Sequence, residues 1–419
     1  GLPGGGIAFP FGAQGNVGAG QVRKRVPGMP VPPRPQGPPV ISVSRFRELL
    51  ANPGERYDFN GESGEFPDIK MVWWAGGNPF HHHQNLAELV TAWERPETIV
   101  VQEPFWTPTA RRADIVFPSS TPLERNDIGG AENLLISHER AVDPPGEARD
   151  DYEIMALVAE HLDLNEQFTE GRSADEWVQV LYELFRAEND WAPGFEEFRE
   201  VGYLRYPGMS EMGENEQIFL SEFRSDPIAH PLGTPSGRIE LWSETIAAFD
   251  YEDCPPHPSW MDPYERLGGR NSSKWPLHLV SNQPTVRIHS QYDHTEPSTG
   301  SKVAGREPIR IHPETARERG ISEGDVVRVF NDRGSCLAGV VIDDALMPEV
   351  VQLSTGAWYD PDPEGMCRAG NPNALTRDKG TSKLAQGPSA HTCLVDVEVF
   401  VGIAPRVESY DPPEFINQR

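Results

Sequence analysis

The chain has 419 residues, enough for two or three domains each with its own core. Hydrophobic residues make up 37% and charged residues 24%, with 41 Pro and 39 Gly, so the protein is globular but rich in loops, and no apolar run approaches the about 18 residues of a membrane-spanning helix. A formal charge of −27 argues against any general electrostatic attraction to nucleic acid or to an anionic membrane, because phosphate neutralisation needs clustered Lys and Arg.

Residues 1–40 are dominated by Gly and Pro, with the basic triplet Arg23-Lys24-Arg25, and can hold neither a regular helix nor a central strand. They read as an extended segment crossing a surface or as a flexible linker. The chain opens without an initiator Met and without a basic segment followed by an apolar one, so no signal peptide is visible. It is expected to be either processed at its start or the carboxyl-terminal portion of something larger.

From Asp68 the pattern is α/β. Met71 to Trp74 form a buried apolar run, Gly76-Gly77-Asn78-Pro79 is a turn, and Leu86, Leu89, Val90 and Trp93 recur at helical spacing before the next strand, Thr98 to Val101. A further strand runs from Ala113 to Phe117, and a helix from Asp151 to about His161 has Ile154, Leu157, Val158 and Leu162 on one face. Strands alternating with helices predict an α/β domain with a mainly parallel sheet over residues 41–165, whose ligands sit beyond the strand carboxyl ends. Residues 166–275 form an irregular, partly helical connecting region in which Trp177, Val180, Leu181 and Leu184 suggest an amphipathic helix.

Residues 276–405 are expected to form a mostly β barrel, followed by a tail over 406–419. Its strands are Leu277 to Val280, Asp325 to Phe330, Cys336 to Ile342, Val350 to Leu353 and Cys393 to Phe400, with a short helix from Pro313 to Arg319 started by Pro at its first turn. Asn331-Asp332-Arg333-Gly334 joins two strands as a hairpin, with Gly expected where positive φ is needed.

Polar clusters mark the strand ends. Beyond Val280, Ser281, Asn282, Gln283, Arg287 and His289 crowd donors and acceptors, which suits either a grip on a heteroatom-rich ligand or a hydrogen-bonded loop capping the barrel. Gly76-Gly77-Asn78-Pro79 is a tight turn or a place where backbone N–H groups approach a ligand. Gln102 and Glu103 follow the second strand. A carboxylate there suits the N–H donors of a guanine or pterin edge, although a solvated loop acid is the commoner explanation. Arg125 has a phosphate, Glu124 or Asp127 as candidate partners, and Asp151 is accounted for as a helix N-cap. Asn373 and Gln386 lie in a third stretch of Gly and Pro turns, residues 370–393, rich in Asn, Gln, Ser, His and Thr. One large polar ligand lying between the domains would account for all three clusters.

The run His81-His82-His83 invites a metal, but adjacent side chains diverge and no acid at metal spacing completes a site, so a loop entering a helix at Asn85 is preferred. Cys254, Cys336, Cys367 and Cys393 are widely spaced, form no CxxC pair and read as free core thiols.

Seven blocks in order, WWAGGNPFHHHQNL, IVVQEPFWTPTARRADIVFPSSTPLERND, LVSNQPTVRIHSQYDH, GREPIRIHP, GDVVRVFNDRG, VVQLSTGAWYDP and GNPNALTRDKGTSKLAQGPSAHTCLV, closely resemble the molybdopterin oxidoreductases of the dimethyl sulfoxide reductase family, in the branch of dimethyl sulfoxide, trimethylamine N-oxide and biotin sulfoxide reductases. The resemblance runs from about residue 40 to residue 400. It implies a barrel of the double-psi type and a molybdenum bis(molybdopterin guanine dinucleotide) cofactor. Asn78, Gln102, Glu103, Arg125 and Asp151 would hold one dinucleotide tail, and Ser281, Asn282, Gln283, Arg287, His289, Asn373 and Gln386 would line the barrel face near the pterins. Arg287 and His289 would tune the pterin by donating hydrogen bonds.

The implied chemistry is removal of oxygen from a small S-oxide or N-oxide, with electrons from a donor protein and the difficult step left to the cofactor. The serine that ligates molybdenum in this branch has no counterpart here, so no residue of the chain is expected to be the direct catalyst or a metal ligand. An amino-terminal half becomes an expected partner, while nucleic acid and a transmembrane segment are not. The rival readings are a non-catalytic module that binds the cofactor or packs as a structural partner, and a metallohydrolase built on His81 to His83. The expected location is the periplasm, with the cytoplasm as the alternative.

Overall fold

The computed structural model describes residues 26–28, 40–131, 134–207 and 220–413. The extended segment expected over residues 1–40 therefore lies, except for 26–28 and 40, outside the described residues. The chain divides into two compact units, one of residues 1–35 and 118–242 and the other of residues 36–117 and 243–419. The barrel and the first three parallel strands thus share a unit, and the break falls at 117/118 rather than near 165.

In the second unit, helix α1 (Phe46–Ala51) precedes an antiparallel hairpin, β1 (Arg56–Phe59) with β2 (Glu62–Glu65). A parallel sheet follows, β3 (Met71–Ala75), β4 (Thr98–Gln102) and β5 (Ile115–Phe117), in that order. Two helices cross from β3 to β4: α2 (Pro79–His82) and α3 (Leu86–Trp93), the latter burying Leu86, Leu89 and Trp93. The strand expected from Ala113 begins two residues later, because residues 110–112 form a 3-10 turn closed by the Ala113 N–H on the Ala110 carbonyl at 3.2 Å.

The first unit holds an antiparallel sheet of β6 (Asp127–Ala131), β7 (Leu134–His138) and β8 (Tyr203–Arg205), with helices α4 (Asp151–His161), α5 (Asn165–Thr169), α6 (Ala174–Ala187) and α7 (Phe195–Val201). Its core is Leu135, Tyr182, Phe185, Phe195 and Phe198, with Tyr182 stacked on Phe198 at 4.5 Å. Helix α6 turns a different face inward from the one expected, burying Trp177, Tyr182 and Phe185 while Leu184 is exposed. Helix α4 likewise buries Ile154 and Ala159, and Leu157 and Leu162 face solvent. Its N-cap is Asp150, which accepts from the Glu153 N–H at 2.8 Å, so Asp151 is the first helical residue and not the cap. Asp150→Ala is expected to cost about 1 kcal/mol in denaturant unfolding, since it leaves an N–H of the first turn unpaired.

Six strands of the second unit close a barrel: β9 (Leu277–Val280), β10 (Pro308–Ile311), β11 (Val326–Phe330), β12 (Ser335–Ile342), β13 (Val350–Leu353) and β14 (Cys393–Val399), in the order β10-β12-β11-β14-β9-β13. Two pairs, β10/β12 and β13/β9, are parallel. The short helix Pro313–Glu318 follows β10. Leu279, Ile309, Ile311, Val327, Val329, Val340 and Leu353 fill the core, joined by the free thiols of Cys336, Cys367 and Cys393; Cys254 is only half-buried. The β11/β12 hairpin forms, but Gly334 does not take positive φ. A Cβ there would lie 2.7 Å from the Ala374 carbonyl oxygen, so close approach and not backbone sign requires glycine. The pairings run β9, β11 and β13 in one direction, so residues 281–283, 331–334 and 354–356 leave the barrel at one end.

Candidate functional site

At the end of β3, Gly76 and Gly77 have φ of 74° and 76°, a turn that side chains resist, and the chain re-enters as α2. Asn78, buried at that turn, does not cap α2. Its side-chain oxygen Oδ1 accepts from the Thr109 hydroxyl at 2.7 Å and its side-chain amide donates to the Ser290 hydroxyl at 3.3 Å. Ser290 belongs to the loop after β9, so Asn78 ties the end of the parallel sheet to that end of the barrel. In the same loop His289 has positive φ (53°), stays exposed, and stands with its ring 5.4 Å from that of His81; its Nδ1 is 3.2 Å from the Gln283 amide.

The helical turn of α2 sends its imidazoles apart, His81 and His82 at 6.3 Å and 79° and His82 and His83 at 4.9 Å and 51°. Burial, with positive neighbours adding to it, drops His81 and His83 from 6.5 to about 3, so both are neutral at pH 7. His81 Nδ1 and His83 Nε2 are buried without a hydrogen-bond partner in the protein. Among the described residues no group of three or more His, Cys, Asp or Glu is arranged to hold a metal. Asn373 donates to the His81 carbonyl, and Asn371 donates to those of Phe80 (3.2 Å) and Ala357 (2.9 Å), so the two asparagines fasten α2 against the barrel.

Beneath the loop lies a neutral quartet of buried charges. Arg287 pairs with Asp293 (3.4 Å) and Glu307 (3.0 Å), and Lys302 bridges the same two acids at 2.8 and 3.0 Å. Arg287 also donates to the carbonyls of His289 (3.2 Å) and Thr355 (2.9 Å) and to the Ser298 hydroxyl (3.0 Å). Four of its N–H donors thus meet partners within the protein, and through the bond to the His289 carbonyl it holds the backbone that presents His289. The fit is tight. A Cβ on Gly356, where φ is 103°, would come within 1.9 Å of the His289 carbonyl oxygen.

Gln102 is buried at the end of β4 and accepts from the Trp73 indole N–H at 2.6 Å. Glu103 accepts from the Phe105 N–H and the Thr107 hydroxyl, both at 3.4 Å. Ser281 and Asn282 are half-buried beyond β9, with Asn282 taking the Ser354 hydroxyl at 3.0 Å. Gln386 is buried with positive φ (54°); its amide donates to the Asp58 carbonyl at 2.5 Å and its own Oε1 is unpartnered. Arg125 and Asp151 belong to the first unit, where Arg125 pairs with Asp127 at 3.3 Å and donates to the Ser120 carbonyl at 3.2 Å.

Sequence reading missed Asp293, Lys302 and Glu307, and with them Tyr410, whose hydroxyl donates to Asp293 at 2.8 Å. Each charged residue alone looks like a solvated loop residue, and only burial exposes the set. Asn371 carried a usable signal, an Asn before Pro in the same turn as Asn373.

Residues 36–161 match the family model described as Molybdopterin oxidoreductase, and residues 277–394 that of the Molydopterin dinucleotide binding domain. The chain is 43% identical over 412 residues to a biotin sulfoxide reductase of Cereibacter sphaeroides, covering 96% of this chain and 54% of that one. It is 46% identical over 386 residues to a dimethyl sulfoxide/trimethylamine N-oxide reductase of the same organism (89% and 46%) and 42% identical over 387 residues to a trimethylamine-N-oxide reductase of Haemophilus influenzae (89% and 46%). The chain spans about half the length of these curated relatives. In fold it is similar to an acetylene hydratase from Pelobacter acetylenicus, with a TM-score of 0.61 at 19% identity over 80% of this chain and 45% of that one. The chain is thus similar to molybdopterin oxidoreductases over residues 36–161 and to molydopterin dinucleotide-binding domains over residues 277–394.

Proposed function

We propose that this chain holds a molybdenum bis(molybdopterin guanine dinucleotide) and serves the reduction of small S-oxides or N-oxides by oxygen-atom transfer. The observation that carries the reading is the meeting of sheet end and barrel end at Asn78–Ser290 and His81–His289, with buried polar atoms of the same histidine run left without partners: His81 Nδ1 and His83 Nε2. Buried polar atoms are ordinarily satisfied, so unpartnered ones beside an exposed polar loop suit a bound group rich in donors and acceptors. A neutral imidazole offers one donor and one acceptor, which matches the mixed edge of a pterin.

Ser281, Asn282, Gln283 and His289 would face the pterins. Gln102 and Glu103 would meet a guanine edge. Arg287, Asn373 and Asn78 would act one step back, fixing the backbone and side chains that make contact. When bound, the cofactor supplies the two-electron chemistry of oxygen transfer; the residues of this chain orient it and exclude water around it. A double-psi crossing of the barrel, a separate electron-donor protein and a periplasmic location belong to the same reading. The relatives' activity resides in chains about twice as long, so the cofactor-holding share is what we assign here. No helix among the described residues is long and apolar enough to cross a membrane.

Protein from a molybdenum-replete host is expected to carry molybdenum and guanine nucleotide in fixed ratio to the chain, and to reduce dimethyl sulfoxide or trimethylamine N-oxide with a reduced viologen dye. Bound cofactor without turnover would favour the non-catalytic module. Absence of both metal and nucleotide refutes the assignment.

A further inference from the structure

Arg377 follows directly on the Asn373 turn, whose Oδ1 accepts from the Thr376 hydroxyl at 2.7 Å. Its guanidinium carbon lies 3.4 Å from the centre of the Tyr264 ring. Among the described residues its side chain has neither an ion pair nor a hydrogen bond, and Nη1 is buried without a partner. In a chain with 64 acidic and 37 basic residues an unmatched arginine is unexpected. The adjacent carboxylates are already taken. Glu265, next to Tyr264, holds Arg333 at 2.5 and 3.0 Å, and Asp378, next to Arg377, holds Arg47.

An aromatic ring under one face of a guanidinium fixes its plane, and N–H groups in that plane match two oxygens of a phosphoryl group in a fork. Leu375 accepts from the Asn331 and Arg333 side chains of the β11/β12 turn, which places the segment at the end of the barrel where residues 281–283 also emerge. We propose that Arg377, stacked on Tyr264, is a phosphoryl-binding residue of this end of the barrel. The proposal deepens the cofactor reading and rests on it for the source of the phosphate, which is the dinucleotide; free inorganic phosphate is the other source of the same chemistry.

The test uses the full chain as purified, comparing wild type with Arg377→Gln, Arg377→Lys and Tyr264→Leu. Guanine nucleotide released by acid is quantified per chain, its dissociation is timed, and thermal midpoints are taken on nucleotide-free protein. Losing a charged hydrogen-bonded pair is expected to speed nucleotide loss roughly tenfold in Arg377→Gln, less in Arg377→Lys, with unchanged midpoints in the nucleotide-free forms. Equal retention and equal release in Arg377→Gln overturns the proposal. If Arg377→Gln does not fold, Tyr264→Leu decides, since an unsupported guanidinium should also release nucleotide faster. Wild type without guanine nucleotide defeats the cofactor reading separately, and calorimetric titration with inorganic pyrophosphate then settles Arg377. Binding to wild type and not to Arg377→Gln upholds the phosphoryl site with free phosphate as its source, and no binding to wild type removes it.

Discussion

Arg287→Met is expected to destabilise the protein by about 3–5 kcal/mol, the range for breaking a buried ion pair by deleting one partner. The side chains of Arg287, Lys302, Asp293 and Glu307 are 1%, 2%, 0% and 3% exposed, so solvent cannot screen what remains. Without Arg287, two buried carboxylates face a single lysine, and the carbonyls of His289 and Thr355 lose their donor. Asp293 shows how finely the set is balanced: burial raises its pKa, yet Lys302 and then Arg287 outweigh burial and hold it below the usual carboxylate value. The double variant Arg287→Met with Glu307→Leu restores neutrality and should recover part of the loss, because pairs in one network do not add. Urea unfolding of the three proteins measures this. A cost below about 1 kcal/mol, as for an exposed pair, would show that the quartet is not the foundation of the loop.

Acid sensitivity is the second large effect. His81 and His83 stay neutral in the fold down to about pH 3, whereas the unfolded chain takes up their protons near 6.5. Between those limits the unfolded state binds more protons, so stability falls as pH falls, by up to about 1.4 kcal/mol per histidine for each pH unit, and the loss levels off below about 3. His82, His289 and Arg287 press on His81 in the same direction, and Asp293 opposes them weakly. Asp378, whose folded pKa burial raises, binds protons more readily in the fold and works the opposite way at lower pH. Comparison with a His81→Gln, His83→Gln protein between pH 7 and pH 5 isolates the histidines: its stability should fall less steeply than that of the wild type. Parallel slopes would mean that neither ring carries the pH dependence.

Most of the regular structure that surrounds the site was legible in the amino-acid order. Strands β3, β4, β9, β11, β12, β13 and β14, helix α3 and the bounds of α4 follow from apolar periodicity and capping residues, which act over a few neighbouring positions. The elements that escaped have weak local signals. β6 reads Asp-Ile-Gly-Gly-Ala and becomes a strand by pairing with β7, and the β1/β2 hairpin had only Asn60-Gly61 to announce it, both with positive φ. The inward faces of α4 and α6 were misjudged because periodicity marks an apolar stripe but not which flank of it a neighbour covers.

The same division holds at the site. That polar residues gather at strand ends is written in the chain itself: Asn78, Gln102, Ser281, Gln283, His289 and Asn373 stand out by type and by place in the pattern. What each does was decided by tertiary structure. Folding made Arg287 part of a buried quartet, made Asn373 and Asn371 fasteners of α2, placed the N-cap on Asp150 and left Arg377 without a carboxylate among the described residues. Donors and acceptors are satisfied by whatever lies within about 3 Å, and which residues those are depends on chain segments dozens to hundreds of positions apart.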